Sequence, residues 1–195
     1  MVKFSFPELR QFFYYDCGAV AIQGVLAYYG FDVEEEEIMK IAKTNNKTGT
    51  SPNGLKKVAE KFRLKYSDGK MSISDLKKNI RKKIPVIILI EDIWSAKNLK
   101  NYDENKDFGH YVVPIGFDKE RIFFEDPWSC FRTYLTFNEL DKKWKALMLK
   151  GKKWKKIEHY GIKFYGRKPV YKENEVAHMG LNILDKHAPV KRARF

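Results

Sequence analysis

Cysteine is scarce in this chain: Cys17 and Cys130 are its two thiols in 195 residues. That is too few for the disulfide framework on which small secreted domains depend. Long apolar runs are also missing, since Val86–Ile90 falls far short of the roughly twenty residues that cross a bilayer. Residues 1–7 carry no extended apolar region followed by small residues, so they do not read as a signal peptide. These absences point to a reduced, cytoplasmic protein with no transmembrane segment. Of the four histidines, His159, His178 and His187 lie near the C-terminus without cysteine or carboxylate partners at ligand spacing. No metal site and no cofactor is expected.

Apolar residues make up 44% of the sequence and aromatics 15%, which argues against disorder and allows a sizeable core. The net charge of +13 is unevenly placed. Residues 142–195 hold 16 Lys/Arg against 4 Asp/Glu, while residues 1–141 hold 22 against 21. The basic character therefore belongs to the C-terminal region. From Gly151 onward lysines alternate with Trp154, His159, Tyr160, Phe164 and Tyr165, and the chain ends near Lys191, Arg192 and Arg194. Such a stretch suits an anionic partner, either nucleic acid or a membrane surface. It equally suits an appendage whose aromatics pack on the main domain.

The chemistry concentrates around Cys17. Apolar residues Ala19, Val20, Ile22, Val25 and Leu26 recur at near-helical spacing and Gly30 is a natural stop, so Cys17 falls at the first turn of a buried helix. Unpaired backbone N–H groups and the helix dipole favour negative charge there, which suits a thiolate nucleophile. A free cysteine is also an ordinary small core residue. Gln11 precedes it, and His110 and Asp126 follow at a distance. Cysteine, histidine and an orienting carboxylate form a thiol triad, and an upstream glutamine can donate to a developing oxyanion. The order Gln, Cys, His, Asp is the papain-like order.

Several motifs in sequence resemble those of the bacteriocin-processing, or double-glycine, cysteine peptidases, papain-like domains often fused to peptide-exporting ABC transporters. They are Gln11 spaced before Cys17 and Gly18, the small Ala19 and Ala21, Gly49 to Ser51, Gly54 and Leu55, Gly109 to Val113, and Asp126 with Pro127. The resemblance spans about residues 7–147. It implies Cys17 as nucleophile, His110 as general base, Asp126 as the residue that orients His110, and Gln11 with the Cys17 N–H as oxyanion hole. It implies an α+β, papain-like fold with a helical N-terminal half packed on an antiparallel sheet. It further implies hydrolysis of a peptide bond in a peptide or protein substrate, after a Gly-Gly-type leader site. A thiol acyltransferase or amidase on the same triad, and a non-catalytic peptide- or nucleic-acid-binding module, stand as alternatives. The oligomeric state is not legible.

Taken in order, residues 1–10 read as an extended arm. Asp32 and the acidic run 34–37 open a second helix as a capped, solvated face. The turn-rich residues 45–50 lead to a third helix from Ser51 and Pro52, and a short strand at 64–66 precedes a fourth helix capped by Ser74 or Asp75. Val86–Ile90 reads as a buried strand and 91–106 as a loop flanking the site. His110–Phe117 is a strand in which Pro114 predicts a bulge, and 122–125 returns beside it, carrying Asp126 back towards His110. A strand at 132–136, a helix over 138–149 showing Leu140, Trp144 and Leu147, and one further strand over 157–165 complete the reading. The expected division is a peptidase domain over 1–149 and a basic, aromatic extension over 150–195.

Overall fold

The computed structural model describes residues 1–91, 109–150 and 153–173. The first half is helical. After a short strand β1 (Val2–Lys3), α1 (Cys17–Tyr28) runs through the core, with all but two of its residues buried. Next come α2 (Glu35–Ala42) and α3 (Pro52–Lys61). Ser51 caps α3 by accepting the Gly54 N–H at 3.0 Å, and Pro52 occupies a position where its missing N–H costs nothing.

The second half is the sheet. Strands β2 (Lys65–Lys70), β3 (Val86–Ile90), β4 (His110–Phe117), β5 (Arg121–Glu125) and β6 (Thr133–Thr136) are joined by β9 (Tyr160–Tyr165) in the order β2-β9-β3-β4-β5-β6, with β1 also pairing on β4. The pairings are antiparallel. Every residue of β3 and β4 is buried, as their apolar sequences require. The register between β4 and β5 shifts between Pro114 and Gly116, the bulge that the missing proline N–H predicts. The helix α4 (Ile73–Arg81) packs against β4 and β1. A second sheet pairs β7 (Lys145–Lys150) with β8 (Lys153–Glu158).

Four expectations are corrected. The helix over 138–149 stops early: α5 (Phe137–Lys143) begins on a Thr136/Glu139 capping box, and the chain then enters β7, so Leu147 belongs to a hairpin strand. The N-cap of α4 is Ser72, in a capping box with Asp75 as the third helical residue, not Ser74 or Asp75. Residues 157–165 form the end of one strand and the whole of another, broken at His159. That residue takes a left-handed backbone (φ 56°), donates its N–H to the Trp144 carbonyl at 2.7 Å and stacks its ring on the indole.

The division after residue 149 also fails. Strand β9 lies inside the main sheet between β2 and β3, with Ile162 and Phe164 fully buried. The Val170 N–H reaches the Tyr28 carbonyl at 3.1 Å, and Glu173 pairs with Arg132 at 2.7 Å. The aromatics of this stretch that enter the core are therefore structural, as the packed-appendage reading has it, while Lys155 and Lys156 stay exposed. The flanking loop expected at 91–106 falls almost entirely outside the described residues, as do His178, His187 and the terminal basic cluster. No helix among the described residues is long and apolar enough to cross a membrane, and no group of three or more His, Cys, Asp or Glu there could hold a metal ion.

Candidate active site

The cysteine comes from the helical half and the histidine and carboxylate from the sheet half. Cys17 is the first residue of α1 and is buried at 8% exposure. The preceding Asp16 turns its carboxylate away from the helix, so no side chain caps the first turn of α1. Its Oδ2 instead accepts the N–H groups of Phe12 (3.1 Å) and Phe13 (2.8 Å), closing the loop of residues 11–16 on itself. The helix start is thus free to face an anion at Cys17.

Gly18 sets how closely that helix end approaches the sheet. A Cβ there would lie 2.7 Å from the Thr50 Cβ and 2.9 Å from the Tyr111 ring, neighbours too close for any side chain. Tyr111 follows His110 on β4, so the missing side chain lets Cys17 meet the histidine strand. Thr50 is buried and shares a hydrogen bond with Thr44 at 2.8 Å. The loop before α3 therefore packs against the cysteine helix and is more than a connector.

His110 lies at the start of β4, 6% exposed, and its Nε2 donates to Asp126 Oδ1 at 2.7 Å. That leaves Nδ1 for a second partner, and Cys17 is the other group whose contact and charge act on the imidazole. Burial alone would lower the pKa of His110. The hydrogen bonds of Asp126 and Cys17 and their charges outweigh burial and raise it to about 10. Asp126 is held in turn by the Trp128 N–H on Oδ1 (3.0 Å) and the Thr133 hydroxyl on Oδ2 (3.2 Å). Burial opposes its ionisation, but the His110 contact and these donors hold its carboxyl below the usual range.

Gln11 reaches this centre through the backbone: its N–H donates to the Pro127 carbonyl at 2.9 Å, tying the loop before Cys17 to the turn after Asp126. Arg10 reinforces the tie through Glu125 at 2.7 Å. The Gln11 Nε2 spends one N–H on the Phe13 carbonyl at 2.7 Å and has a second to offer. The structure thus brings Cys17, His110 and Asp126 together and places Gln11 in the adjoining loop. Cys130 is a free, exposed thiol in the turn before β6.

Sequence reasoning gave no role to Thr133 or Asp16, while Thr50 entered only as part of the Gly49–Ser51 motif. A lone threonine carries no signal until Asp126 is placed in space. Asp16 did have one, as a carboxylate immediately before the candidate nucleophile. The acidic run of α2 departs from its expected solvated role at Glu35, whose Oε1 is buried.

Among solved structures, the peptidase domain of Streptococcus ComA, a bi-functional ABC transporter involved in a quorum-sensing pathway, superposes with a TM-score of 0.59 at 20% identity, covering 84% of this chain and 98% of that one. A double-glycine-motif protease from an AMS/PCAT transporter, solved with its leader peptide, gives 0.60 at 20% identity over 83% and 92%. A C39-like peptidase from Bacillus anthracis gives 0.59 at 16% identity over 83% and 94%. These likenesses establish the papain-like α+β fold. No curated protein matches the sequence. The sequence itself matches the Peptidase C39 family over residues 5–156, more than half of the chain. The chain belongs to the Peptidase C39 family and is a cysteine peptidase.

Proposed function

We propose that Cys17, His110 and Asp126 act as a catalytic triad, with Gln11 and the Cys17 N–H as oxyanion hole, and that the protein cuts a leader peptide after a Gly-Gly-type pair. The observation that carries this reading is the buried His110 imidazole hydrogen-bonded to Asp126 at 2.7 Å, at the end of β4 that the side-chain-free Gly18 lets the start of α1 approach. The leader-peptide substrate rests on the transporter protease of the same fold that was solved with one.

In this mechanism His110 and Cys17 react as imidazolium and thiolate. The thiolate attacks the scissile carbonyl carbon, and the carbonyl oxygen takes up negative charge facing the uncapped start of α1 and the spare N–H of Gln11. His110 passes its proton to the leaving amine, the C–N bond breaks, and the acyl group stays on Cys17. A water gives its proton to His110, attacks the thioester, and releases acid and thiolate. Asp126 keeps the ring oriented and stabilises its charge throughout. Two free thiols fit the reducing cytoplasm in which such a nucleophile survives.

The test is cleavage of synthetic peptides bearing Gly-Gly, with single replacements at the two glycines, read by mass spectrometry. Cleavage on the C-terminal side of the pair by the wild type, absent with Cys17→Ala, is expected. Cleavage unaffected by Cys17→Ala would overturn the assignment.

A further inference from the structure

Glu125 is a buried carboxylate that the chemistry above does not use. It closes β5 at 4% exposure, one residue before Asp126. Its Oε1 accepts from Arg10 Nη1 at 2.7 Å, and its Oε2 lies 3.5 Å from Nε of Arg132. Arg132 is engaged in turn by Glu8 at 3.2 Å and by Glu173 at 2.7 Å. One oxygen of Glu125 thus faces a cation that three carboxylates share, and the other holds the arm leading to Gln11. Burial raises the pKa of Glu125 against the pull of the two guanidiniums. A buried ion pair of this kind adds little net stability, because desolvation of the charges offsets their attraction. What it supplies is geometry, a charge-assisted hydrogen bond of defined length and direction.

The contact falls where position matters. Arg10 meets Glu125, and the Gln11 N–H meets the Pro127 carbonyl at 2.9 Å, so two consecutive residues of the chain grip the residues on either side of Asp126. A single hydrogen bond fixes a distance and leaves rotation about it; the second removes that rotation. Arg10 is also tied to its own arm, Nη1 donating to the Leu9 carbonyl at 2.9 Å. The Gln11 side chain has less to hold it. Its Nε2 donates to the Phe13 carbonyl at 2.7 Å, and its buried Oε1 meets no donor among the described residues. Where the amide points is therefore set by where the backbone of residues 10 and 11 is held.

We propose that Arg10 and Glu125 are positioning residues: their contact fixes the loop that carries Gln11 against the strand end that carries Asp126, and so sets the oxyanion donor at a constant distance from the triad. This rests on the roles proposed above for Gln11 and Asp126. The pair acts on the reaction through Gln11. Losing the contact leaves Cys17, His110 and Asp126 in place and misplaces the donor, so the loss should fall on the transition state, where the oxyanion forms, and not on ground-state binding.

The experiment is a double-mutant cycle on the full chain with Arg10→Met and Gln11→Ala, using a peptide that the wild type cleaves. Arg10→Met cuts the contact at its less buried end. It should lower kcat by about tenfold, with KM changed by less than about twofold. In the Gln11→Ala background, itself about 10²-fold slower, it should cost nothing further. Equal losses in both backgrounds, or a loss confined to KM, would overturn the proposal. A second readout, amide hydrogen exchange followed by NMR, needs no substrate. In Arg10→Met the Gln11 N–H should exchange at least about tenfold faster, while the Phe12 and Phe13 amides held by Asp16, and the amides of β5, keep their wild-type rates. Unchanged exchange at Gln11, or faster exchange across β5 as well, would contradict a selective hold on the loop. A protein that cleaves no peptide yet shows the selective change at Gln11 refutes the proposed function and leaves the positioning contact standing. An active peptidase whose kcat and Gln11 exchange both ignore Arg10→Met does the reverse.

Discussion

The two sides of the site are held in different ways. His110 is paired with Ile90 in the sheet, Asp126 directly follows the end of β5, which pairs with β4, and Asp126 has three donors, His110, Trp128 and Thr133. The loop that leads into Cys17 has no ladder. It hangs on one buried carboxylate, Asp16, on a single backbone bond from Gln11 to Pro127, and on aromatics such as Phe12 and Tyr14 that remain largely exposed. Redundant support lets a substitution on the sheet side remove chemistry while leaving geometry in place. On the loop side, position itself is what a substitution puts at risk.

The sharpest contrast uses the reacting groups. Cys17→Ala or His110→Ala should lower peptide cleavage by about 10⁴-fold, measured as kcat/KM, with the thermal midpoint changing by no more than a few degrees. Asp126→Asn should follow, at on the order of 10²- to 10⁴-fold, because the ring keeps its place but loses the partner that fixes its tautomer. It should also move the pH profile. The raised pKa of His110, about 10 against an ordinary 6.5, means that its stabilised imidazolium is fully present below about 6.5 and lost as pH rises through about 10. Without the Asp126 charge, the alkaline limb of Cys17 alkylation should therefore shift to lower pH. An unchanged limb would show that Asp126 does not act on the ring.

Gly18→Ala tests the close approach of the two halves. Its Cβ would meet Thr50 at 2.7 Å, so a destabilisation of about 1–3 kcal/mol is expected by thermal melting, with cleavage reduced beyond what the melting temperature explains. A neutral Gly18→Ala would mean that the helix end has room to move. The smallest expected effect is Arg10→Ala, about 1 kcal/mol in urea unfolding. Glu125 is 4% exposed and loses its nearer partner, but Arg132 remains at 3.5 Å.

Much of the sheet side is readable from sequence because it is local. A buried run with alternating faces, a proline at the bulge and a short turn bring Asp126 back to His110 within sixteen residues. The start of α1 is readable for the same reason, from helical spacing before Gly30. What escapes is non-local. Nothing in residues 160–165 announces that they will slip between β2 and β3, because the signal lies in partners far along the chain. The helix expected over 138–149 keeps its apolar spacing in sequence, yet pairing of β7 with β8 overrides it after Lys143. Glu35 looks like one more carboxylate in a solvated first turn until the fold buries its Oε1.

The proposed function depends on Cys17 being an activated nucleophile coupled to His110. Labelling with a small thiol alkylator at about pH 6, followed by intact mass and peptide mapping, tests it directly on wild type and His110→Ala. Rapid labelling of Cys17 in the wild type, well ahead of the exposed Cys130, and its loss in the variant are expected. Slow labelling of both thiols at equal rates, unchanged by His110→Ala, would contradict it.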